Sequence, residues 1–216
     1  MRVGVLGTGE VGRTIAGRLV GDDHEVVLGS RTPDNPVAAA WADASGDRAG
    51  HGTFGDAAAA GELLFNATPG TVSLDVLAGI PAGALAGKVL VDVANPLDHS
   101  GGFPPTLAMC NTTSLGERIQ QAHPDVRVVK ALNTVHNAVM VDPSRLGGTH
   151  HVFVCGDDPD AKAIVTALLH GWGWADDAVI DLGDITNARG TEMLLPLWVR
   201  LYGVIGTGDF NLAVVR

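Results

Sequence analysis

The sequence predicts an α/β fold in which a mostly parallel, doubly wound sheet is followed by a short C-terminal helical segment. Short runs rich in Val, Ile and Leu alternate with segments of helical periodicity, a pattern typical of strand–helix–strand crossovers. The runs do not alternate cleanly between apolar and polar residues, which indicates strands buried on both faces. A chain of 216 residues, 46% of them hydrophobic, is long enough to bury such a sheet in a full core.

The apolar runs predict the strands, and capping residues mark the ends of the helices. The predicted strands are Arg2–Leu6, Glu25–Leu28, Leu63–Ala67, Lys88–Val93, Val126–Leu132, His151–Cys155 and Ala178–Leu182. Helices are predicted over Gly12–Val20, over Pro36–Ala44, from Ser114 to His123 and from Asp158 to His170. Ser114 and Glu117 form a capping-box pattern, and Asp158 is an N-cap followed by a proline. Gly171 is the expected C-cap of the last of these helices.

Two regions depart from this alternation. Residues Leu97–Thr113 contain Gly-Gly and Pro-Pro pairs without periodicity, so we expect a long functional or mobile loop. The tail from residue 189 predicts a helix kinked at Pro196, then a glycine-rich turn. We therefore predict a main domain over residues 1–185 and a helical segment over 186–216 that closes a pocket or forms a dimer contact.

Charge and composition exclude several classes of function. Lys and Arg total 14 against 24 Asp and Glu, a net charge of −10, which disfavours nucleic acids and anionic membranes as partners. The longest apolar stretch, Leu194–Gly206, is too short to span a bilayer. The chain begins directly with a strand rather than a signal peptide, and Cys110 and Cys155 form no C-x-x-C motif. These features favour a cytoplasmic protein with reduced thiols.

A glycine motif directly follows the first strand and opens the first helix. It consists of Gly7, Thr8, Gly9, Glu10, Val11 and Gly12. In a G-x-G-x-x-G turn the first glycine permits the tight turn, the second lets the backbone approach a pyrophosphate, and the third allows close helix packing. Free N–H groups at the helix N-terminus bind the anion. The motif therefore predicts a Rossmann-like dinucleotide site.

The end of the second predicted strand selects the form of the cofactor. An NAD site has an acidic residue at this point to bind the ribose 2′-hydroxyl. The chain has Gly29 and Ser30 instead, followed by Arg31 and Thr32. Ser30 and Thr32 offer hydroxyls, and Arg31 offers charge-assisted contacts to a 2′-phosphate, although a solvated loop arginine is the alternative. The pattern predicts NADP(H).

Other predicted strand ends lead into the same crevice. The residues at these ends are Thr68 and Pro69, Ala94 and Asn95, and Asn133 and Thr134. Ligands in open α/β sheets bind outside the carboxyl ends of the strands, so we expect these residues to line the ribose and nicotinamide. Ordinary turn chemistry is the alternative at each of the three ends.

The sequence contains no evident acid–base group for carbonyl reduction. Its single tyrosine, Tyr202, is not part of a Tyr-x-x-x-Lys pattern. Lys130 could reach the crevice from a strand end, but a structural role is favoured. His136 is a candidate catalytic residue that could either line the pocket or support it from behind. No spacing of His, Cys, Asp or Glu indicates a metal site.

The chain resembles the coenzyme F420-dependent NADP oxidoreductases, whose Rossmann-like domain is also similar to the cytosolic part of the STEAP metalloreductases. The residues that carry the resemblance are the segments Gly7–Gly12, Gly29–Pro33, Val91–Pro96 and Lys130–Val135. The resemblance implies an NADP(H)-binding sheet and a C-terminal segment that closes a pocket for a flat deazaflavin ring. The sequence departs from the established deazaflavin reductases in segments 190–198 and 206–211, which would build part of the pocket for the electron acceptor.

The leading hypothesis is therefore an NADP(H)-dependent oxidoreductase that transfers hydride between NADPH and coenzyme F420 or a similar acceptor. Reduction of an imine, a ketone or a metal chelate is an alternative that would need Lys130, His136, Tyr202 or water as proton donor. A non-catalytic NADP(H) sensor is a third hypothesis. The expected partners are a small-molecule redox substrate and a second copy of the chain. An apolar stripe of Leu194, Trp198 and Leu201 would form the core or the dimer contact.

Overall fold

The fold is an eight-stranded sheet covered by helices on both faces, described in a computed structural model over residues 1–215. The strands of the sheet are β1 (Arg2–Leu6), β2 (Glu25–Ser30), β3 (Ala49–Thr53), β4 (Leu63–Asn66), β5 (Val89–Asp92), β8 (Arg127–Ala131), β9 (Val152–Cys155) and β10 (Val179–Asp181). The helices are α1 (Glu10–Gly21), α2 (Pro36–Ser45), α3 (Phe54–Ala60), α4 (Ser73–Ala78), α5 (Ala82–Leu85), α6 (Leu115–Ala122), α7 (Asn137–Val141), α8 (Pro159–Gly171), α9 (Ala188–Met193) and α10 (Leu195–Ile205). The predicted α/β class is confirmed.

The strand order is β10-β9-β8-β5-β4-β1-β2-β3. All neighbours pair in parallel except β8 and β9, which are antiparallel. The chain therefore winds from β1 to β3 toward one edge of the sheet, and then from β4 onward toward the other edge. The direction of winding reverses between β1 and β4. This is the doubly wound, mostly parallel arrangement that the sequence predicts, and it opens a crevice where the winding reverses.

One edge strand, β3, was not predicted. Its sequence is Ala-Gly-His-Gly-Thr, which lacks the branched apolar residues that mark the other strands. Gly52 of this strand packs so close to the next helix that an added Cβ would lie 2.9 Å from the Asp56 Cβ. The strand forms because it pairs with β2 and packs against α3. The strand propensity of its residues does not predict it.

Each face of the sheet has its own apolar core. One core is built on Ile15 and Leu19 of α1, Val139 of α7, and Val165 and Leu169 of α8. The other contains residues of α3, α4, α5 and α6 together with Ala188 of the C-terminal segment. Strands sandwiched between these two layers are buried on both faces, which explains their unbroken apolar runs.

The helix caps agree with the sequence, with one small correction. Ser114 accepts a hydrogen bond from the Glu117 N–H at 3.1 Å, and Asp158 accepts one from the Ala161 N–H at 2.9 Å. Gly171 is the last residue of α8 rather than its C-cap, which is Trp172.

Two further expectations need correction. The segment Leu97–Thr113, predicted as one long loop, contains a short antiparallel pair, β6 (Leu97–Asp98) and β7 (Thr106–Leu107). The C-terminal helix is not kinked at Pro196, because the chain breaks at Leu194 into two helices. Pro196 lies in the first turn of α10, where a missing N–H costs nothing.

The proposed division at residue 185 remains a prediction, and the last residue of its second part, Arg216, lies outside the described residues. Across residues 1–215, no helix combines the length and the apolar character that a membrane span requires.

Candidate functional site

A cleft of about 1440 Å³ opens at the carboxyl edge of the sheet. Most of the predicted cofactor-binding residues line it: Gly7, Thr8, Gly9, Glu10, Val11, Ser30, Arg31, Thr68, Pro69, Ala94 and Asn95. They come from the ends of β1, β2, β4 and β5, which are adjacent in the sheet. The crevice predicted from the strand ends is therefore one continuous surface.

The three motif glycines perform three different tasks. Gly7 has φ of +123°, a conformation that L side chains rarely adopt, and an added Cβ would lie 2.5 Å from the Ala67 carbonyl oxygen. A Cβ on Gly12 would lie 2.0 Å from the Gly7 carbonyl oxygen, so Gly12 provides the close helix packing and does not line the cleft. A Cβ on Gly9 would meet no protein atom within 4 Å. Gly9 therefore leaves open space above the N-terminus of α1.

The N-terminus of α1 is free to bind an anion. Its N-cap is Gly9, which has no side chain that could occupy the first N–H groups of the helix. Those N–H groups and the positive end of the helix dipole face the cleft, with Glu10 and Val11 on its wall. Open space at Gly9 and unpaired N–H groups fit a pyrophosphate.

The turn after β2 presents a cation at the mouth of the cleft. Ser30 is buried, and its hydroxyl donates to the Thr32 carbonyl, which fixes the turn. Arg31 is exposed, and within residues 1–215 it forms no ion pair. Thr32 follows this turn but does not line the cleft, whereas Asn35, the N-cap of α2, does. A free guanidinium at this point fits a 2′-phosphate.

The other half of the cleft is built from β4 and β5. The Thr68 hydroxyl donates to Asn66 Oδ1 at 2.7 Å and lies 2.8 Å from the Ser73 hydroxyl. The Asn95 amide pairs with Asn133: its Nδ2 donates to the Asn133 carbonyl at 2.8 Å, and its Oδ1 accepts from Asn133 Nδ2 at 2.9 Å. Asn133 thus orients Asn95 from behind.

Asn133 and Thr134 themselves are buried and do not line the cleft. The backbone immediately before them is unusual, because Leu132 has φ of +64° at the end of β8. A leucine rarely adopts this left-handed conformation, and strained residues of this kind occur at functional sites.

Lys130 does not reach the cleft. Its side chain is fully buried, and Nζ lies 2.8 Å from Asp92 Oδ2 and 2.8 Å from Glu192 Oε1. Burial alone would lower the pKa of the Lys130 ammonium, but the attraction of the two carboxylates outweighs it, so the pKa lies above its ordinary value. The residue is a buried cation, in agreement with the favoured structural role.

His136 and Tyr202 belong to an aromatic cluster around Trp198. The Trp198 ring stacks on His136 at 6.5 Å, on Tyr202 at 5.6 Å and on Phe210 at 5.1 Å between ring centroids. The close approach of Gly208 covers His136, since an added Cβ there would lie 2.2 Å from the imidazole Cδ2. Neither His136 nor Tyr202 lines the cleft.

Several cleft residues were missed by the sequence reasoning. They are Asn35, Thr53, Phe54, Gly55, Asp56, Thr71, Val72, Asp75, Val76, Gly79, Ile80, Pro81, Leu97 and His99. One signal was available: Thr53 and Asp56 form a capping box at the start of α3, with the Asp56 carboxylate accepting from the Thr53 N–H at 2.8 Å. His99 follows β6, in the segment that was predicted to be irregular.

Comparison with known proteins now identifies the family. Residues 2–96 match the model of the family described as NADP oxidoreductase, coenzyme F420-dependent. A crystal structure from Arthrobacter sp. FB24, provisionally named an F420-dependent NADP-reductase, is 50% identical, covers 99% of both chains and has a TM-score of 0.93. The chain belongs to this family.

Two curated relatives extend the comparison. Metalloreductase STEAP3 of Rattus norvegicus is 32% identical over 204 residues, which cover 91% of this chain but only 38% of the metalloreductase. The F420-dependent NADP reductase of Methanothermobacter marburgensis is 28% identical over 212 residues, which cover 92% of that reductase.

A reductive aminase from Aspergillus terreus, solved with NADPH, shares the fold. Its sequence identity is 19% and its TM-score is 0.65, and the alignment covers 95% of this chain and 62% of the aminase.

Members of this family are NADP-dependent oxidoreductases, and this chain is an NADP(H)-binding member of it. The residues present fit that cofactor on structural grounds: the open space at Gly9, the unpaired α1 N-terminus and the free Arg31. The strand order places the β2 end beside the β1 turn, with the ends of β4 and β5 on the opposite side. The cleft therefore has one side at the end of β2 and a second side at the ends of β4 and β5.

Proposed function

We propose that the protein transfers hydride between NADP(H) and a deazaflavin acceptor of the coenzyme F420 type. The M. marburgensis relative is named for this activity and aligns along almost the whole chain. The observation that carries the proposal is the chemistry of the β4 and β5 side of the cleft. Two polar side chains of this side, Thr68 and Asn95, are engaged in hydrogen bonds within the protein, and Lys130 is sealed behind them.

Such a wall positions a ring, and none of these three side chains is placed to donate a proton to it. Direct hydride transfer between two bound cofactors needs proximity and orientation, and the protein supplies both without acid–base chemistry. When bound, NADPH supplies the hydride from nicotinamide C4, and the deazaflavin accepts it at C5. The proposal thus agrees with what the described side chains can do.

Each part of the cleft has a proposed task toward NADP(H). The Gly7–Gly12 turn would hold the pyrophosphate on free N–H groups. Arg31 would bind the 2′-phosphate on the β2 side of the cleft, which we call the adenosine side, and Ser30 would fix the turn that presents Arg31. Thr68 and Pro69, and Ala94 and Asn95, would face the nicotinamide riboside, supported by Asn133 and Thr134.

We further propose that the C-terminal segment forms a homodimer contact in a cytoplasmic enzyme. Leu197, Val204 and Ile205 of α10 are exposed to 54%, 87% and 49% in the single chain. An apolar helix face of this kind is typical of an interface. Sedimentation of the purified protein tests it, and a Val204→Glu variant is expected to shift the protein toward the monomer.

An acceptor screen tests the catalytic proposal. The purified protein is mixed with NADPH and, in turn, coenzyme F420, a flavin, a ferric chelate, an imine and a ketone, and the absorbance of NADPH is followed. We expect F420 to give turnover at least about tenfold above every other acceptor, a clear preference in transition-state energy. Turnover with a different acceptor alone contradicts the deazaflavin assignment, and no turnover with any acceptor favours an NADP(H) sensor.

One observation supports a second candidate. His99 lines the cleft, and an imidazole is a side chain that can serve as a general acid. Reduction of an imine, a ketone or a metal chelate would therefore depend on His99 rather than on the buried Lys130. A His99→Ala variant that loses such turnover while retaining NADPH binding would support this alternative.

A further inference from the structure

A buried polar row crosses the carboxyl edge of the sheet behind the cleft. Cα partners in adjacent strands place Asn66 beside Asp92, Asp92 beside Lys130, and Lys130 beside Cys155. Asn66, Asp92 and Lys130 are 0%, 0% and 1% exposed. Ionised groups are rarely buried this completely unless they are paired, so the row requires an explanation beyond core packing.

Lys130 is the centre of this row. It pairs with Asp92 and with Glu192 of α9, and it also donates to the Ala94 carbonyl at 2.5 Å. Glu192 in turn accepts from the N–H groups of Leu115 at 2.8 Å and Gly116 at 3.1 Å, at the start of α6. Every carboxylate of the network therefore has several donors, which is the condition for a buried ion network to be tolerated.

The network reaches the cleft through two residues that line it. Ala94 is held at both ends: Asp92 Oδ1 accepts from its N–H at 3.2 Å, and Lys130 donates to its carbonyl. Thr68 is held by Asn66 Oδ1, while Asn66 Nδ2 donates to Asp92 Oδ1 at 2.8 Å. The same buried groups thus fix both the β4 and the β5 side of the cleft.

We propose that Asp92 and Lys130 are positioning residues for the nicotinamide half of the cofactor, and that Glu192 ties the C-terminal segment to them. They touch no ligand themselves, and act by fixing the Ala94 peptide and the Thr68 turn. The proposal rests on the placement of NADP(H) proposed above, with nicotinamide at the β4 and β5 ends. Because these groups are already ordered before the ligand binds, binding does not include the free-energy cost of ordering them.

The test separates positioning from stability by neutralising the whole network. Removing Lys130 alone would strand two buried carboxylates, which is expected to unfold the protein. The triple variant Asp92→Asn, Lys130→Met, Glu192→Gln removes all three charges with little change in volume. Because the triple variant leaves no uncompensated buried charge, thermal unfolding is expected to show a folded protein.

The binding readout uses two probes that occupy different parts of the cleft. NADPH spans both halves, whereas 2′,5′-ADP reaches only the adenosine side. We expect the triple variant to bind NADPH about tenfold or more weakly and 2′,5′-ADP within about twofold of the wild type, differences that titration resolves easily. If the triple variant does not fold, Asp92→Asn alone is compared in the same way, with an expected NADPH loss of about threefold.

A matched control tests whether loosening α9 alone is enough to weaken NADPH binding. Arg189 of α9 pairs with Glu117 of α6 at 2.8 Å and has no contact with Ala94. Arg189→Gln is expected to leave both affinities unchanged. Equal weakening of NADPH and 2′,5′-ADP in the triple variant, or the same NADPH loss in Arg189→Gln, would overturn the positioning role. Failure of the wild type to bind 2′,5′-ADP would instead refute the cofactor placement, and the positioning role with it.

Discussion

The substitution Gly9→Ala is expected to weaken the binding of NADPH while leaving the stability of the protein almost unchanged. Gly9 has φ of −67° and ψ of 178°, a conformation open to any L-residue, and its Cβ would meet no protein atom within 4 Å. Alanine is a poorer N-cap than glycine, but it also restricts the unfolded chain. These effects oppose each other and are each about 0.5–1 kcal/mol, so stability is expected to change by less than about 1 kcal/mol.

The loss of binding is expected to be much larger. The new methyl group would occupy the space that a pyrophosphate needs to reach the N-terminus of α1. Losing one hydrogen bond between an N–H group and the charged phosphate costs about 1.5–3 kcal/mol, which corresponds to about a 10- to 150-fold rise in Kd. NADPH fluorescence titration gives the Kd, and thermal unfolding without ligand gives the stability.

Two glycines of the same helix serve as controls. Gly12→Ala would place Cβ 2.0 Å from the Gly7 carbonyl, so the unliganded protein is expected to lose about 1–3 kcal/mol of stability. Gly17 is exposed in α1 with no atom within 4 Å of its Cβ position, so Gly17→Ala is expected to gain about 0.5–1 kcal/mol and to bind normally. A Gly9→Ala protein that is folded and binds NADPH within about twofold of the wild type would refute the assignment of the turn.

Three other predictions concern single side chains. Arg31→Asp is expected to weaken NADPH at least about tenfold while changing NADH by less than about threefold, and equal losses would exclude a 2′-phosphate contact. If hydride passes directly, His136→Ala and Tyr202→Phe should each keep more than about a tenth of wild-type turnover, whereas a far larger loss in steady-state rate would indicate acid–base chemistry. Burial raises the pKa of the Cys155 thiol to about 12, so it stays protonated at neutral pH, whereas Cys110 is exposed. A thiol reagent at pH 8 should therefore modify Cys110 in the native protein and Cys155 only after unfolding, and rapid modification of both would contradict the burial.

The sequence predicted the β1 and β2 lining of the cleft well because the signals there are local. The glycine turn lies within six consecutive residues, and Ser30 fixes its turn through a partner two positions away. Strand β3 escaped prediction for the opposite reason. Its two glycines and one histidine carry no strand preference, and only pairing with β2 makes it a strand.

The β4 and β5 side depends on partners far apart in the chain. Asn66 meets Asp92 across 26 residues, Asp92 meets Lys130 across 38, and Leu115 meets Glu192 across 77. Lys130 looked like a candidate proton donor because no local pattern shows the two carboxylates that surround it. Composition could not reveal this network either, because a net charge of −10 averages over surface and interior alike.

This contrast bears on how the acceptor is chosen. A turn that needs only glycines and a following arginine can be kept by any chain that uses NADP(H), whatever that chain reduces. The opposite wall is different, because its shape depends on strand register, on a buried ion network and on a C-terminal segment tied in through Glu192. A change in any of these distant residues would reshape the wall without touching the glycine turn. Acceptor specificity in this fold is therefore expected to follow the residues that hold Ala94 and Thr68, and the glycine motif alone does not predict it.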